Sequence, residues 1–361
     1  MEQESTDAGA LLDPLSNPFA SLDSLSPDLS SLNDLATRGS WRSILDKVSR
    51  SRSLNLLRHP HHHLTYLSFN VLALSKLRRF ADASAELESL QDLDSPEYRY
   101  ESYPKIYPDR SGSMVPFFLR WLHCIVPLRL EQRREGLDRL YRLVDLVREK
   151  LKEREANSRE ESLNVWKRRE LFVMNTIIGD HLSHKEFSVC LDLIKDLLSR
   201  DCSGLDAVLL SKLGYIQLQV GDLEGAKGAF SRVEGISSEG NSVELKNLVN
   251  RNKALIYLVG KDYVSAVREY EVCIERDHMD FVAINNKAIC LMYLRDLSDS
   301  IKVLENSLER VPMVALNETL VVNLCSMYEL AYVNHSEIKK TLSNWIARVA
   351  PDDFDSSCTR I

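Results

Sequence analysis

Two alanines twelve residues apart, Ala254 and Ala266, are answered 34 residues further on by Ala288 and Ser300, and each pair is followed four residues later by a bulky side chain, Tyr270 or Leu304. A third copy reads Gly214, Ala226 and Phe230. Small residues at this spacing let two antiparallel helices approach closely, and the bulky residue fills the space beside them. A helical hairpin of this size cannot bury its apolar face alone. Successive copies must therefore stack, each covering the last, into an array with one continuous hydrophobic spine and an exposed inner curve.

Period and phase are those of a tetratricopeptide repeat, so the expected fold class is all-α: a solenoid of stacked antiparallel helix pairs with an ordered Tyr/Pro-rich insertion. Only 13 Gly and 11 Pro occur in 361 residues. Several of those prolines fall in the first 30 residues or one short central stretch, which leaves long runs for about eight to a dozen helices. Residues 1–31, rich in Ser, Leu, Asp and Pro, are expected to be a disordered tail. Residues 32–165 read as degenerate helical repeats interrupted by an insertion at 92–113, with Phe80 and Ala83 in one hairpin and Gly136 and Leu140 in the next. Ser113 is expected to cap a helix starting near Met114. The densely charged stretch Arg148 to Glu170 around Trp166 suggests a helix end and an exposed loop whose role is solvation. Residues 166–350 hold the regular repeats and capping helices, and 351–361 form a C-terminal tail.

Composition narrows the function classes. A formal charge of −7 argues against general nucleic-acid binding, which needs a net basic face. The most apolar segment, Pro116 to Leu130, is interrupted by Arg120, His123 and Arg129, so no transmembrane span is expected. The start MEQESTDAGALLDPLS lacks the basic and apolar stretches of a secretory signal, which points to the cytosol. Seven cysteines without a Cys-x-x-Cys pair read as small packing residues. The run Arg58-His59-Pro60-His61-His62-His63 reads as a solvated insertion between helices, because adjacent loop residues offer no fixed ligand geometry for a metal. Asn17-Pro18-Phe19 matches a short adaptor-ligand tripeptide, but three residues carry little information. No phosphate-binding, nucleophile-elbow, zinc-protease or dinucleotide motif occurs. His181, His184, His278 and His335 show no spacing of a base or ligand set. The expectation is a protein without catalytic, cofactor-binding or metal-ligating residues, and with no cofactor.

Binding candidates come from two places. The second, fifth, ninth, twelfth and thirteenth residues of each first helix should face the inner curve, which nominates Tyr215, Leu218, Leu255, Leu258, Ile289, Met292 and Tyr293. This surface reads as mostly apolar, with only Arg251, Asn252, Asn285 and Asn286 to hold an anion. It is either interhelix core or a groove filled by a partner helix or the chain's own capping helix. The second place is the segment with four tyrosines in ten residues, Tyr98 to Tyr107, whose candidates are Tyr103, Pro104, Tyr107, Pro108, Met114 and Phe117. Packing on its own solenoid and direct partner contact both remain open for it.

The segment YPKIYPDRSGSMVPF, with Phe80-Ala-Asp-Ala-Ser-Ala-Glu and Asp92-Leu-Asp-Ser-Pro before it, strongly resembles the signature of the subunit-twelve family of the transport protein particle (TRAPP), a vesicle-tethering complex. Leu137-Asp-Arg-Leu, Gly221-Asp-Leu-Glu-Gly-Ala-Lys, Asn285-Asn-Lys-Ala-Ile-Cys-Leu-Met-Tyr-Leu and Asn323-Leu-Cys-Ser-Met-Tyr-Glu-Leu extend the likeness over residues 32–361. The short stretch before the repeats points to a non-animal member. The resemblance implies a non-catalytic repeat subunit of an assembly that promotes nucleotide exchange on a Rab-type GTPase in transport between endoplasmic reticulum and Golgi. Its partners would be other TRAPP subunits, the large accessory ones above all, with the GTPase and the vesicle membrane met indirectly. Its place would be cytoplasmic, peripheral to Golgi, trans-Golgi or intermediate membranes. The alternative is a generic repeat adaptor that docks a peptide or an amphipathic helix of another complex.

Overall fold

The computed structural model describes residues 29–90, 92–156, 160–200, 206–239, 242–310 and 316–360. The readings of residues 1–28, Asn17-Pro18-Phe19 included, and of Cys202 lie outside the described residues.

The described residues form sixteen α-helices and no strand. They pair as eight hairpins: α1 (Leu29–Thr37) with α2 (Trp41–Ser53), α3 (Pro60–Lys76) with α4 (Phe80–Glu88), α5 (Phe117–Arg129) with α6 (Arg133–Ala156), and α7 (Glu160–Ser183) with α8 (Phe187–Ser199). The second half continues with α9 (Asp206–Val220) and α10 (Leu223–Glu239), α11 (Val243–Val259) and α12 (Tyr263–Arg276), α13 (Phe281–Tyr293) and α14 (Leu297–Arg310), and α15 (Glu318–Ala331) and α16 (His335–Val349). This is the all-α tetratricopeptide solenoid, with sixteen helices among the described residues where eight to a dozen were expected.

The repeat residues do what their sizes dictate. Ala226, Ala254, Ala266, Ala288 and Ser300 are buried at helix crossings, and Tyr270 and Leu304 are buried beside them. At Gly214 a Cβ would sit 2.3 Å from the Phe230 ring, so the backbone itself forms the contact.

The hairpin turns are equally regular. In seven of the eight, the residue two before the second helix is left-handed: Gly39, Arg78, Glu131, Lys185, Gly221, Lys261 and Arg295. The next residue's N–H then reaches five residues back, as from Asp222 to the Gln217 carbonyl (2.8 Å), Asp262 to Tyr257 (2.9 Å) and Asp296 to Leu291 (3.0 Å). This Schellman closure satisfies the carbonyls at the end of the first helix. The same aspartates then cap the second, with Asp222 and Asp262 accepting from the N–H of Gly225 and Ser265. Five of these seven turns place a polar residue other than glycine in the left-handed position.

Each second helix packs on the first helix of the next hairpin, and α3 also touches α5, α9 touches α11 and α13 touches α15. Among the described residues no successive second helices make comparable contact, so the array curves with its first helices on the inside. The C-terminal segment then joins the two ends. Cys358 and Phe354 pack with Val321, Cys325 and Ile346 of the last hairpin, and Lys339 donates to the Arg360 carbonyl (2.8 Å). On its other side Asp352 donates its N–H to the Gly39 carbonyl (3.1 Å) and accepts from the Arg42 N–H (2.9 Å). Asp353 meets Lys76 (2.9 Å) and Asp355 meets Arg78 (2.7 Å).

Three local readings are corrected. The histidine run is not a loop: Pro60 occupies the first turn of α3, where its missing N–H costs nothing, and His61 to His63 lie on that helix. Helix α5 begins at Phe117, after Pro116, whereas Ser113 accepts from the Val115 N–H. Arg148 to Glu170 is not merely a solvated stretch, because Arg148 binds Glu170 (2.7 Å) and Asp196 (2.8 Å), and Glu170 is buried.

Candidate interaction surface

The Tyr/Pro-rich insertion is held by two single 3₁₀ turns, Pro96–Tyr98 and Tyr100–Ser102, and by a bridge between Arg99 and Ser113. Its apolar side folds inward. Tyr107 (6% exposed) and Met114 are buried with Leu64, Leu67, Val71, Leu119 and Leu122, and Tyr103 packs half-buried against the same group. The Tyr107 hydroxyl lies 2.6 Å from His61 Nδ1, which gives the histidine run its structural partner. Pro104 and Pro108 are exposed. Phe117 is half-buried and belongs to a second cluster, described below.

On the first helices, Tyr215 and Tyr293 are exposed, the latter stacked on Tyr263 with ring centres 5.0 Å apart and planes 8° from parallel. Leu218, Leu255, Leu258, Ile289 and Met292 are half-buried. Of these, Leu258 leans on the Ala254–Tyr270 core, and Ile289 and Met292 lean on the Leu304–Leu324 core. The surface therefore shares its side chains with the spine beneath it.

Sequence reasoning missed a polar ladder between consecutive first helices. Trp121 donates to Thr176 (3.0 Å), Lys212 to Asn175 (2.7 Å), Ser211 to Asn252 (2.7 Å) and Asn323 to Asn285 (2.7 Å). Arg251 instead pairs with buried Asp280 (3.0 Å). Counting each hairpin so that its second helix starts at position seventeen, Trp121, Asn175, Ser211, Arg251, Asn285 and Asn323 all stand at position five. A column of polar residues at one repeat position was the available signal.

Aromatic rings adjoin this ladder. Phe118 stacks on Trp121 (5.3 Å between centres) and Trp121 meets Phe172 (4.9 Å), which is 42% exposed. Arg169 lies between Phe117 and Trp166, 4.8 Å and 4.4 Å from the ring centres. Among the described residues neither Arg169 nor Lys212 pairs with a carboxylate. Burial pushes both cations' pKa below the ordinary range.

The remaining ionisable groups tie helices to one another. Arg133 binds Asp180 (2.8 Å) and Glu186 (2.6 Å), while His181 joins Glu186 and the Tyr141 hydroxyl (3.2 Å). The Arg133 and His181 hydrogen bonds hold the Glu186 carboxyl down to about 2. Its members belong to α6, α7 and the turn before α8, so the network clamps one hairpin to the next. Burial raises the thiols of Cys273, Cys290 and Cys358 to about 11, which keeps them protonated and inert as nucleophiles. Among the described residues no cluster of His, Cys, Asp and Glu is placed to hold a metal ion, and no helix is long and apolar enough to cross a membrane.

Comparison with known proteins finds no matching family model. The chain is 29% identical to the human protein named Trafficking protein particle complex subunit 12, over 94% of this chain and 49% of that one. It is 30% identical to the mouse protein of the same name, over 91% of this chain and 44% of that one. The chain thus spans about half the length of these relatives. Among solved structures, a tetratricopeptide repeat protein from Parabacteroides merdae aligns with a TM-score of 0.43 at 9% identity, over 89% of this chain and 96% of that one. The resemblance to the TRAPP subunit 12 family, first legible around Tyr103 to Phe117, holds along nearly the whole chain.

Proposed function

We propose that this chain, similar throughout to TRAPP subunit 12, is a non-catalytic scaffold subunit of a TRAPP vesicle-tethering assembly that serves Rab-type nucleotide exchange between endoplasmic reticulum and Golgi. It works by protein–protein binding through its repeat surface, and its direct partners are other TRAPP subunits, the large accessory ones foremost. It acts at the cytoplasmic face of Golgi, trans-Golgi or intermediate membranes, meeting GTPase and vesicle through the assembly.

The observation that carries this reading is the pair of relatives with one name, matched over more than nine-tenths of this chain. A solenoid whose ionisable groups mostly close on one another, and whose inner first helices keep exposed aromatic side chains, fits a body built to hold others. Affinity purification of the tagged chain from cells tests it. Recovery of TRAPP subunits in stoichiometric amount is expected, together with co-elution at the size of a large assembly. A chain that elutes alone, with no TRAPP subunit attached, would end this reading.

A further inference from the structure

The inner surface of the third to fifth hairpins combines two features seldom left unanswered. One is the aromatic run Phe118, Trp121 and Phe172, continued on α9 by exposed Tyr215. The other is a pair of half-buried cations, Arg169 and Lys212, whose neighbours are aromatic rings and the Asn175 side-chain oxygen rather than carboxylates. They belong to one surface. Arg169 and Phe172 are three residues apart on α7, Phe172 and Asn175 another three, and Asn175 receives the Lys212 ammonium, itself three residues before Tyr215. Arg133, Arg148, Arg251 and Lys339, by contrast, each meet a carboxylate.

An aromatic strip flanked by unmatched positive charge fits a ligand that is both apolar and acidic. The chain contains such a segment. Residues 1–28 carry Glu2, Glu4, Asp7, Asp13, Asp23 and Asp28 and not one Lys, Arg or His, and among them stand Leu11, Leu12, Leu15, Phe19, Leu22 and Leu25. Reach is sufficient. The ten residues from Phe19 to Leu29 span up to about 35 Å when extended, whereas Trp121 and Phe172 lie two and three hairpins beyond Leu29, on the order of 20–30 Å at a helix spacing of 8–10 Å.

We infer that residues 1–28 dock on this inner strip of the same molecule, their carboxylates answering Arg169 and Lys212 and their Phe and Leu side chains covering Trp121 and Phe172. The segment thereby acts as an internal occupant that any outside ligand of the strip must displace.

The test uses the full-length isolated chain with the photoreactive residue p-benzoylphenylalanine in place of Phe19, and maps crosslinks by mass spectrometry. Crosslinks within one molecule to residues 117–128 and 165–179 are expected. Their yield should fall at least about fivefold in Arg169→Gln/Lys212→Gln, the size expected for losing two partly exposed charge pairs. The variant Asp13→Asn/Asp23→Asn, which leaves the solenoid untouched, should lower the yield in the same direction. Added salt should weaken it further. Crosslinks that fall elsewhere, that join two copies, or that ignore both variants overturn the inference. So does an absence of crosslinks. Because the measurement needs no other subunit, its outcome is separate from whether the chain enters a TRAPP assembly.

Discussion

Removing the Tyr107 ring asks most directly whether the insertion is a plug. Its hydroxyl and its ring contribute separately. Tyr107→Phe keeps the edge-to-face contact with Tyr100 (5.0 Å) and the burial among Leu64, Met114 and Leu119, and deletes only the hydroxyl's contacts with His61, the ring Nδ1 at 2.6 Å and the long backbone N–H donation at 3.5 Å, of which the first is the one of normal length. One such bond contributes about 1 kcal/mol net. Tyr107→Ala also removes the ring. An aromatic side chain buries about 150–250 Å², which at about 25 cal/mol per Å² bounds the loss near 4–6 kcal/mol. Measured truncations of buried aromatic residues run about 3–5 kcal/mol, and that range is expected here.

Hairpin arrays open locally, so a global melt understates a local loss. Hydrogen exchange should be read at residues 64–74 of α3 and 117–126 of α5, the helices that flank Tyr107, beside urea unfolding followed by circular dichroism. The alanine variant should lose protection there by the stated amount, the phenylalanine variant by about a quarter of it. A Tyr107→Ala protein with unchanged exchange in both helices, but with a lost partner, would refute the plug and make the ring a contact.

Ala266→Leu forces three carbons into a fully buried crossing between α11 and α12, and should cost about 1–3 kcal/mol in urea unfolding, while Lys302→Ala on exposed surface changes little. Gly39→Ala puts a Cβ within 2.5 Å of the Pro351 Cβ at a positive φ, so the C-terminal segment should lift; small-angle scattering should show a larger radius of gyration, and an unchanged profile would mean the ends do not rely on this junction. Burial, aided by Arg139, pushes His123 down to about 4, so the unfolded chain takes up this proton near pH 6.5 and the folded one only near pH 4. Its contribution to stability is therefore full above about pH 6.5 and declines toward pH 4, by at most about 1.4 kcal/mol per unit; unfolding of His123→Gln should depend less on pH across that window, and parallel curves would contradict the assignment.

Steric signals were legible in the sequence because they need no knowledge of a distant partner. Ala254, Ala266, Ala288 and Ser300 declare a close crossing by size and spacing alone, and Trp41 opens α2 where Gly39 supplies the turn. Pairings set by curvature were not. Ser211 reaches Asn252 and Asn323 reaches Asn285 only because first helices converge on the inside of the bend, and no local pattern says how far the bend goes. The junction of the two ends is the extreme case: Lys76 with Asp353 and Arg78 with Asp355 lie 277 residues apart. The histidine run misled for a different reason. Polar, adjacent and beside a proline, it reads as a loop, yet Pro60 is well suited to open a helix and His61 has Tyr107 waiting.

Arg169 separates what the fold needs from what it offers. A half-buried guanidinium loses hydration, and without a carboxylate only its two ring contacts offset that loss. Each ring contact contributes about 0.5–1 kcal/mol, comparable with what an apolar side chain of similar length would gain in the same place. Arg169→Met should therefore leave the isolated chain within about 1 kcal/mol of its original stability, in contrast to Arg133→Met, which strands Asp180 and Glu186 and should be clearly destabilising. Urea unfolding of the two variants side by side decides the matter. A loss at Arg169 as large as that at Arg133 would make it a pillar of the α5–α7 contact, and its positive charge would then need no ligand to explain it.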